Sequence, residues 1–181
     1  MLLLIPGCMY YSIRSSLPAH ISSISLAPVT NQSTEFIVAE ILNDELNRLM
    51  IGENVLDIVS PDKADSQLEV IVTSVTDKPY TVSFSDDQSG MEEVEEWRLT
   101  IYTKVTWYDI RRDEILLEKK MSGWGVYAPG VDISTDNLDN DGDSLIDSND
   151  SDEIGPPRES AMNISVLRLT EKIVSEITNT W

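Results

Sequence analysis

Apolar and polar positions along the chain change their period several times, and each change marks a structural element. In "HISSISLAPV" (His20 to Val29) the pattern alternates around Ile24, Leu26 and Pro28, the period of two of a half-buried strand. "NQSTEFIVAEILNDELNRLM" then shifts to helical spacing. Val38, Ile41, Leu42, Leu46 and Leu49 form one face, with Glu40, Asn43, Asp44 and Asn47 on the wet side. Ser33 or Thr34 is the expected N-cap, Glu35 favours the first turn, and Gly52 is the expected stop.

A short apolar piece and a Pro-Asp turn follow, then a strand from Ser66 to about Thr76. Leu68, Val70 and Val72 face one side of it and Ile71, Thr73 and Val75 the other. Pro79 to Gly90 reads as a polar hairpin connection. In "VEEWRLTIYTKVTWYDI", Trp97, Leu99, Ile101, Thr103, Val105 and Trp107 share one face, while Arg98, Thr100, Tyr102, Lys104, Thr106 and Tyr108 share the other. The Asp109 to Glu114 turn leads into "ILLEKKMSGWGVY", a strand paired back on it, and both strands look longer than a helix-covered core. "ESAMNISVLRLTEKIVSEITNTW" is a second amphipathic helix, with Leu167, Val174 and Trp181 repeating every seven residues beside Ile173 and Ile177.

The order β-α-β-β-β-α predicts an α+β, two-layer sandwich. A four-stranded mixed sheet would carry both helices on one face, which is the economical way to bury these stripes. The other face, with Tyr102, Lys104, Thr106 and Tyr108, would stay open or await a partner. At 181 residues the chain has the length of about one domain.

Charge narrows the partners. With 32 acids against 13 bases the net charge is −19, which disfavours nucleic acid because such binding needs Lys and Arg to neutralise phosphates. Nine of the acids lie between Asp132 and Glu153, a stretch without Lys or Arg, so the rest of the chain carries only −10. This acidic insertion, at about 132–155, has an internal order. Asp139, Asp141, Asp143, Asp147 and Asp150 occupy positions 1, 3, 5, 9 and 12 of a calcium loop, with the Leu145 carbonyl at position 7. Ser144 stands where the turn glycine belongs, and position 12 is Asp instead of Glu. The segment resembles a thrombospondin type 3 or dockerin-like calcium repeat. A solvated acidic linker is the other reading. On either reading it is an insertion that tunes the protein and leaves its core function elsewhere.

No stretch reaches the about 20 apolar residues that span a bilayer. Met1 to Gly7 is apolar and ends at Cys8, the only cysteine. A lone thiol forms no internal disulfide. Ile5-Pro6-Gly7-Cys8 resembles a bacterial lipobox, in which the thiol is diacylated and becomes the new N-terminus. On that reading residues 1–7 are the remnant of a longer cleaved leader, the mature protein begins at a lipidated Cys8, and residues 8–181 form one domain. An ordinary free cysteine near a frayed terminus is the alternative.

Catalytic signatures are missing. His20 is the only histidine, without a signature beside it, and no Gly-rich phosphate loop, HExxH or CxxC is present. Glu92, Glu93, Glu95 and Glu96 lead into a strand as solubilising charges. The expectation is a protein that is not an enzyme.

The lipobox cysteine, the strand ending "APVTNQST", the "ADSQLEVIVTSVTDKPY" strand, the two strands after it and the closing helix together resemble the LPS-assembly lipoprotein family (LptE-like). The resemblance runs from Cys8 to Trp181 and is interrupted at about Ala128 to Pro157. It implies a lipid-anchored component of the outer membrane that faces the periplasm, plugs an LptD-type β-barrel, helps it assemble and contacts lipopolysaccharide. Arg98, Lys104, Arg111 and Arg112, on the open strand face and its turn, are the local candidates for that contact. Two other functions stay open. One is peptide or glycan binding through the open sheet face, and the other is a calcium-dependent surface or adhesion module centred on the insertion.

Overall fold

The computed structural model describes residues 17–84, 92–129, 144–145 and 156–179. Its elements are β1 (Ser23–Leu26), β2 (Thr30–Asn31), α1 (Val38–Glu53), β3 (Asp57–Ile58), β4 (Ser66–Phe84), β5 (Glu92–Asp109), β6 (Glu114–Tyr127) and α2 (Pro157–Asn179). The sheet runs β3-β1-β4-β5-β6, with β2 also paired to β4. β1 pairs parallel with β3 and β4, while β4, β5 and β6 form an antiparallel meander.

The α+β class and the mixed sheet agree with expectation, but six strands replace four. The expected first strand is broken at Pro28, which has no N–H to donate. Pairing with β4 runs up to Ala27, whose N–H donates to Leu68 O (2.9 Å), and resumes beyond the proline, where Gln32 N donates to Val72 O (2.9 Å). β1 and β2 thus lie in succession along the same edge of β4. β3 arises from the short apolar piece, and a two-residue strand is too short to show a period.

Two boundaries move. Ser33 does not cap a helix. Its N–H and hydroxyl both bond Asn31 Oδ1 (2.9 and 2.7 Å), while Asn31 Nδ2 donates to Glu35 O (2.7 Å). This side-chain turn holds the chain out of helix until Val38. At the other end α1 runs through Gly52 and closes on Asn54, whose left-handed conformation (φ 47°) directs its N–H to Met50 O. Pro79 to Phe84, expected as connection, continues β4 against β5. The register shift at Val72/Ser74 inverts the facing pattern, and further shifts between Pro79 and Val82 follow the proline.

One core joins all layers. β5 contributes Leu99, Ile101, Val105 and Trp107, α1 contributes Val38, Leu42, Leu46 and Met50, and α2 contributes Met162, Val166, Leu169, Ile173 and Ile177. Leu167 of the expected seven-residue repeat is only half-buried, and Trp181 lies outside the described residues. α2 crosses β6 at backbone distance. A Cβ on Gly123 would sit 2.0 Å from Ser165 O and one on Gly125 2.4 Å from Ala161 O, so both positions exclude any side chain. The same helix guards the outer edge of β6: Arg168 and Lys172 donate to the carbonyls of Trp124 (3.0 Å) and Ser122 (2.9 Å). Beyond Tyr127, the partner of Trp97, β6 ends, and β4 and β5 continue as a two-stranded ribbon.

Candidate functional site

The face of the sheet away from the helices is built in cross-strand rows. From the ribbon inward these are Lys78, Arg98 and Val126; Thr76, Thr100 and Trp124; Ser74, Tyr102 and Ser122; Ile71, Lys104 and Lys120. Four cations occupy these rows and no carboxylate does. The next row, Glu69, Thr106 and Glu118, supplies the first acids. A chain of net charge −19 therefore concentrates positive charge on one flat surface.

The four expected cations do not converge. Arg98 lies over the rings of Tyr80 (5.8 Å) and Trp124 (5.7 Å). Lys104, six residues on, pairs with Glu118, and this contact holds its ammonium above the ordinary lysine range. Arg111 and Arg112 sit in the turn after β5, about 40 Å from Arg98 along the strand. Arg111 pairs with Asp65 there, and Arg112 approaches Glu114 (3.7 Å).

That turn belongs to a network which fixes the entry of the chain into the fold. His20 Nε2 contacts Asp109 Oδ2 at 2.5 Å. Asp65 Oδ2 accepts from Ser22 N (3.0 Å), Ser22 Oγ (2.9 Å) and Ser23 N (3.1 Å). Burial pushes the Asp65 carboxyl up, but the Ser22 and Ser23 hydrogen bonds and the Arg111 charge outweigh it and bring it down to about 2. Asp109 is lowered in the same way. Burial opposes the shift, and the bond from His20 and the backbone N–H groups of Arg112 and Arg111 prevail. Arg111 thus joins this network through its guanidinium and its backbone N–H, and Arg112 through its backbone N–H alone.

Other residues complete the surface. Arg168 reaches Trp124 from α2, with its guanidinium 5.1 Å from the ring, and Tyr80 lies 6.2 Å from the same ring. Arg98, Tyr80, Trp124 and Arg168 form a cation-aromatic cluster near the ribbon. The alternation of Lys120, Ser122 and Trp124 was available in the sequence. The approach of Arg168 depends on packing between positions 44 residues apart and was not. Among the described residues the surface carries depressions on both sides of the sheet. One of about 550 Å³ is lined by Thr73, Ser74, Tyr102, Thr103, Lys120, Met121 and Ser122. Another, about 280 Å³, lies between the helices, against Ile41, Asp44, Glu45, Arg48, Asn163, Val166 and Leu167.

Cys8 lies outside the described residues, as do Asp139, Asp141, Asp143, Asp147 and Asp150 of the calcium-like loop. Of that loop Ser144 and Leu145 are described, and Ser144 adopts φ 75°. Among the described residues no helix is long and apolar enough to cross a membrane.

The LptE model, described as lipopolysaccharide-assembly, matches residues 21–178. The chain belongs to the LptE family. This is a non-enzymatic family of lipopolysaccharide assembly, in agreement with the missing catalytic signatures. No curated protein matches the chain in sequence. Among solved structures, the chain is similar to a hypothetical protein from Chlamydia trachomatis (12% identity, TM-score 0.54), with 87% of this chain and 96% of that one covered. That likeness shows a shared fold. The rare lipoprotein B from Shewanella oneidensis aligns at 13% identity and TM-score 0.45, over 86% of this chain and 95% of its own.

Proposed function

We propose that this LptE-family chain is an outer-membrane lipoprotein of lipopolysaccharide transport and assembly. It faces the periplasm, is anchored by lipid on Cys8, and serves as plug and assembly partner of an LptD-type β-barrel. The family match across residues 21–178 is the observation that carries this reading. The cation-bearing sheet face supports contact with lipopolysaccharide, whose phosphates would meet Arg98 and Lys104 along β5. With Arg111 and Arg112 engaged by acids at the opposite end, the weight of that contact moves toward Arg98 and its aromatic neighbours. The acidic insertion binds calcium through Asp139, Asp141, Asp143, the Leu145 carbonyl, Asp147 and Asp150. Ser144 supports this, since its φ of 75° falls at the position where such loops place glycine.

Depletion of the chain in its native host tests the function. Lipopolysaccharide at the cell surface should fall and the unassembled barrel should accumulate. Unchanged surface lipopolysaccharide would reject the assignment. Calcium is tested by titration calorimetry in chelated buffer, where heat at millimolar calcium and a raised melting temperature are expected.

A further inference from the structure

We infer that the depression around Tyr102 on the open sheet face is a binding site for an acidic saccharide. It is an open depression of about 550 Å³ that spans β4, β5 and β6. β5 is bonded on one side to β4 and on the other to β6, so no backbone amide is free for an extended peptide to pair with, and recognition must come from side chains. Those present are an aromatic ring within a ring of hydroxyls. Tyr102 is 37% exposed although it stands on a central strand. Ser74 and Ser122 flank it on the two neighbouring strands, and the register shift between Val72 and Ser74 brings the Thr73 hydroxyl, bonded to Tyr102 O at 3.0 Å, to the same depression.

A pyranose ring matches this set. Its C–H face is apolar and stacks on an aromatic plane, while its equatorial hydroxyls meet hydroxyl partners around the ring. Charge selects the kind of sugar. Lys104 is paired with Glu118, whereas Lys120 beside it has no carboxylate partner among the described residues. One ammonium next to one aromatic platform fits a ring bearing a single carboxylate. A free phosphate would pair with the ammonium alone and leave the aromatic face and the surrounding hydroxyls unused. The occupant is therefore the uronic-acid-type residue of a glycan chain. This inference shares the open face with the proposed lipopolysaccharide contact but needs no barrel partner, and barrel association is therefore read on its own below.

The test uses the full chain in detergent at low salt, titrated with tetragalacturonate, maltotetraose and inorganic phosphate. Tetragalacturonate should saturate the site, and maltotetraose should bind about tenfold more weakly. Tyr102→Ala and Lys120→Gln should each weaken tetragalacturonate binding by about tenfold, with unchanged circular dichroism because both side chains are on the surface. Equal binding of the variants, displacement by phosphate as effective as by tetragalacturonate, or no saturation by about 10 mM would overturn the site. Co-purification of a barrel with Tyr102→Ala is scored separately, so loss of the saccharide site and loss of the plug reading are distinguishable.

Discussion

Gly123 shows how a single atom sets the spacing between layers. The Cβ of an alanine would meet Ser165 O, a backbone atom inside α2 that has no rotamer to escape into. Gly123→Ala should destabilise the fold by about 3 kcal/mol, read as a lower thermal midpoint, and an unchanged midpoint would refute the close approach. Asp65 sets an acid limit. Its folded value of about 2 lies below the ordinary 3.8, so the unfolded chain takes up the proton first as pH falls. Its contribution is complete above the ordinary value, fades through the window from 3.8 down to about 2, and is gone below it. Asp65→Asn should therefore be less stable than the natural chain at neutral pH, with the difference closing by about pH 2 in acid unfolding curves. Neither residue announces its role in the sequence. "GWG" gives no clue to which helix will cross it, and Asp65 acquires its partners from serines more than forty residues away.

At the scale of elements, one carboxylate holds both ends of the insertion. Tyr127, which ends β6, donates to Asp77 Oδ1 at 2.9 Å. Arg158, in the first turn of α2, donates to Asp77 Oδ2 (2.9 Å) and Glu35 Oε1 (2.6 Å). These two acids, Asp77 first, raise the Arg158 guanidinium above its ordinary value. Because the ends meet at Asp77, replacing residues 130–155 with a short Gly-Ser linker should leave a folded chain with unaltered far-ultraviolet circular dichroism. An unfolded product would show that the insertion is integral. Arg158→Ala should cost about 1 kcal/mol, since the pair is partly exposed and screened, and should speed amide exchange at both ends of the insertion. Periodicity was a good guide wherever an element keeps one face buried for several turns or pleats. Leu99 through Trp107 follow their expected side without exception, and α1 buries every fourth residue from Val38 to Met50. It failed where the backbone changes parity or competes with itself, at the shifts around Thr73 and Tyr80 and at the Asn31–Ser33 turn.

Across the whole molecule, charge is partitioned. Acids crowd the insertion while the open sheet face gathers Lys78, Arg98, Lys104 and Lys120. The sequence showed which strand carried Arg98 and Lys104. The rows that set Lys78 and Lys120 beside them depend on strand register, which no single strand contains. A flat cationic face on a two-layer body suits an interior position against a lipopolysaccharide-bearing barrel, and the family match gives that reading its weight. The most direct measurement is affinity purification of the tagged full chain from detergent-solubilised native membranes, followed by mass spectrometry of the chain and of whatever it carries. The account predicts a large outer-membrane β-barrel in near-equal amount and an N-terminus beginning at diacylated Cys8. A barrel-free monomer with an unmodified cysteine would contradict it.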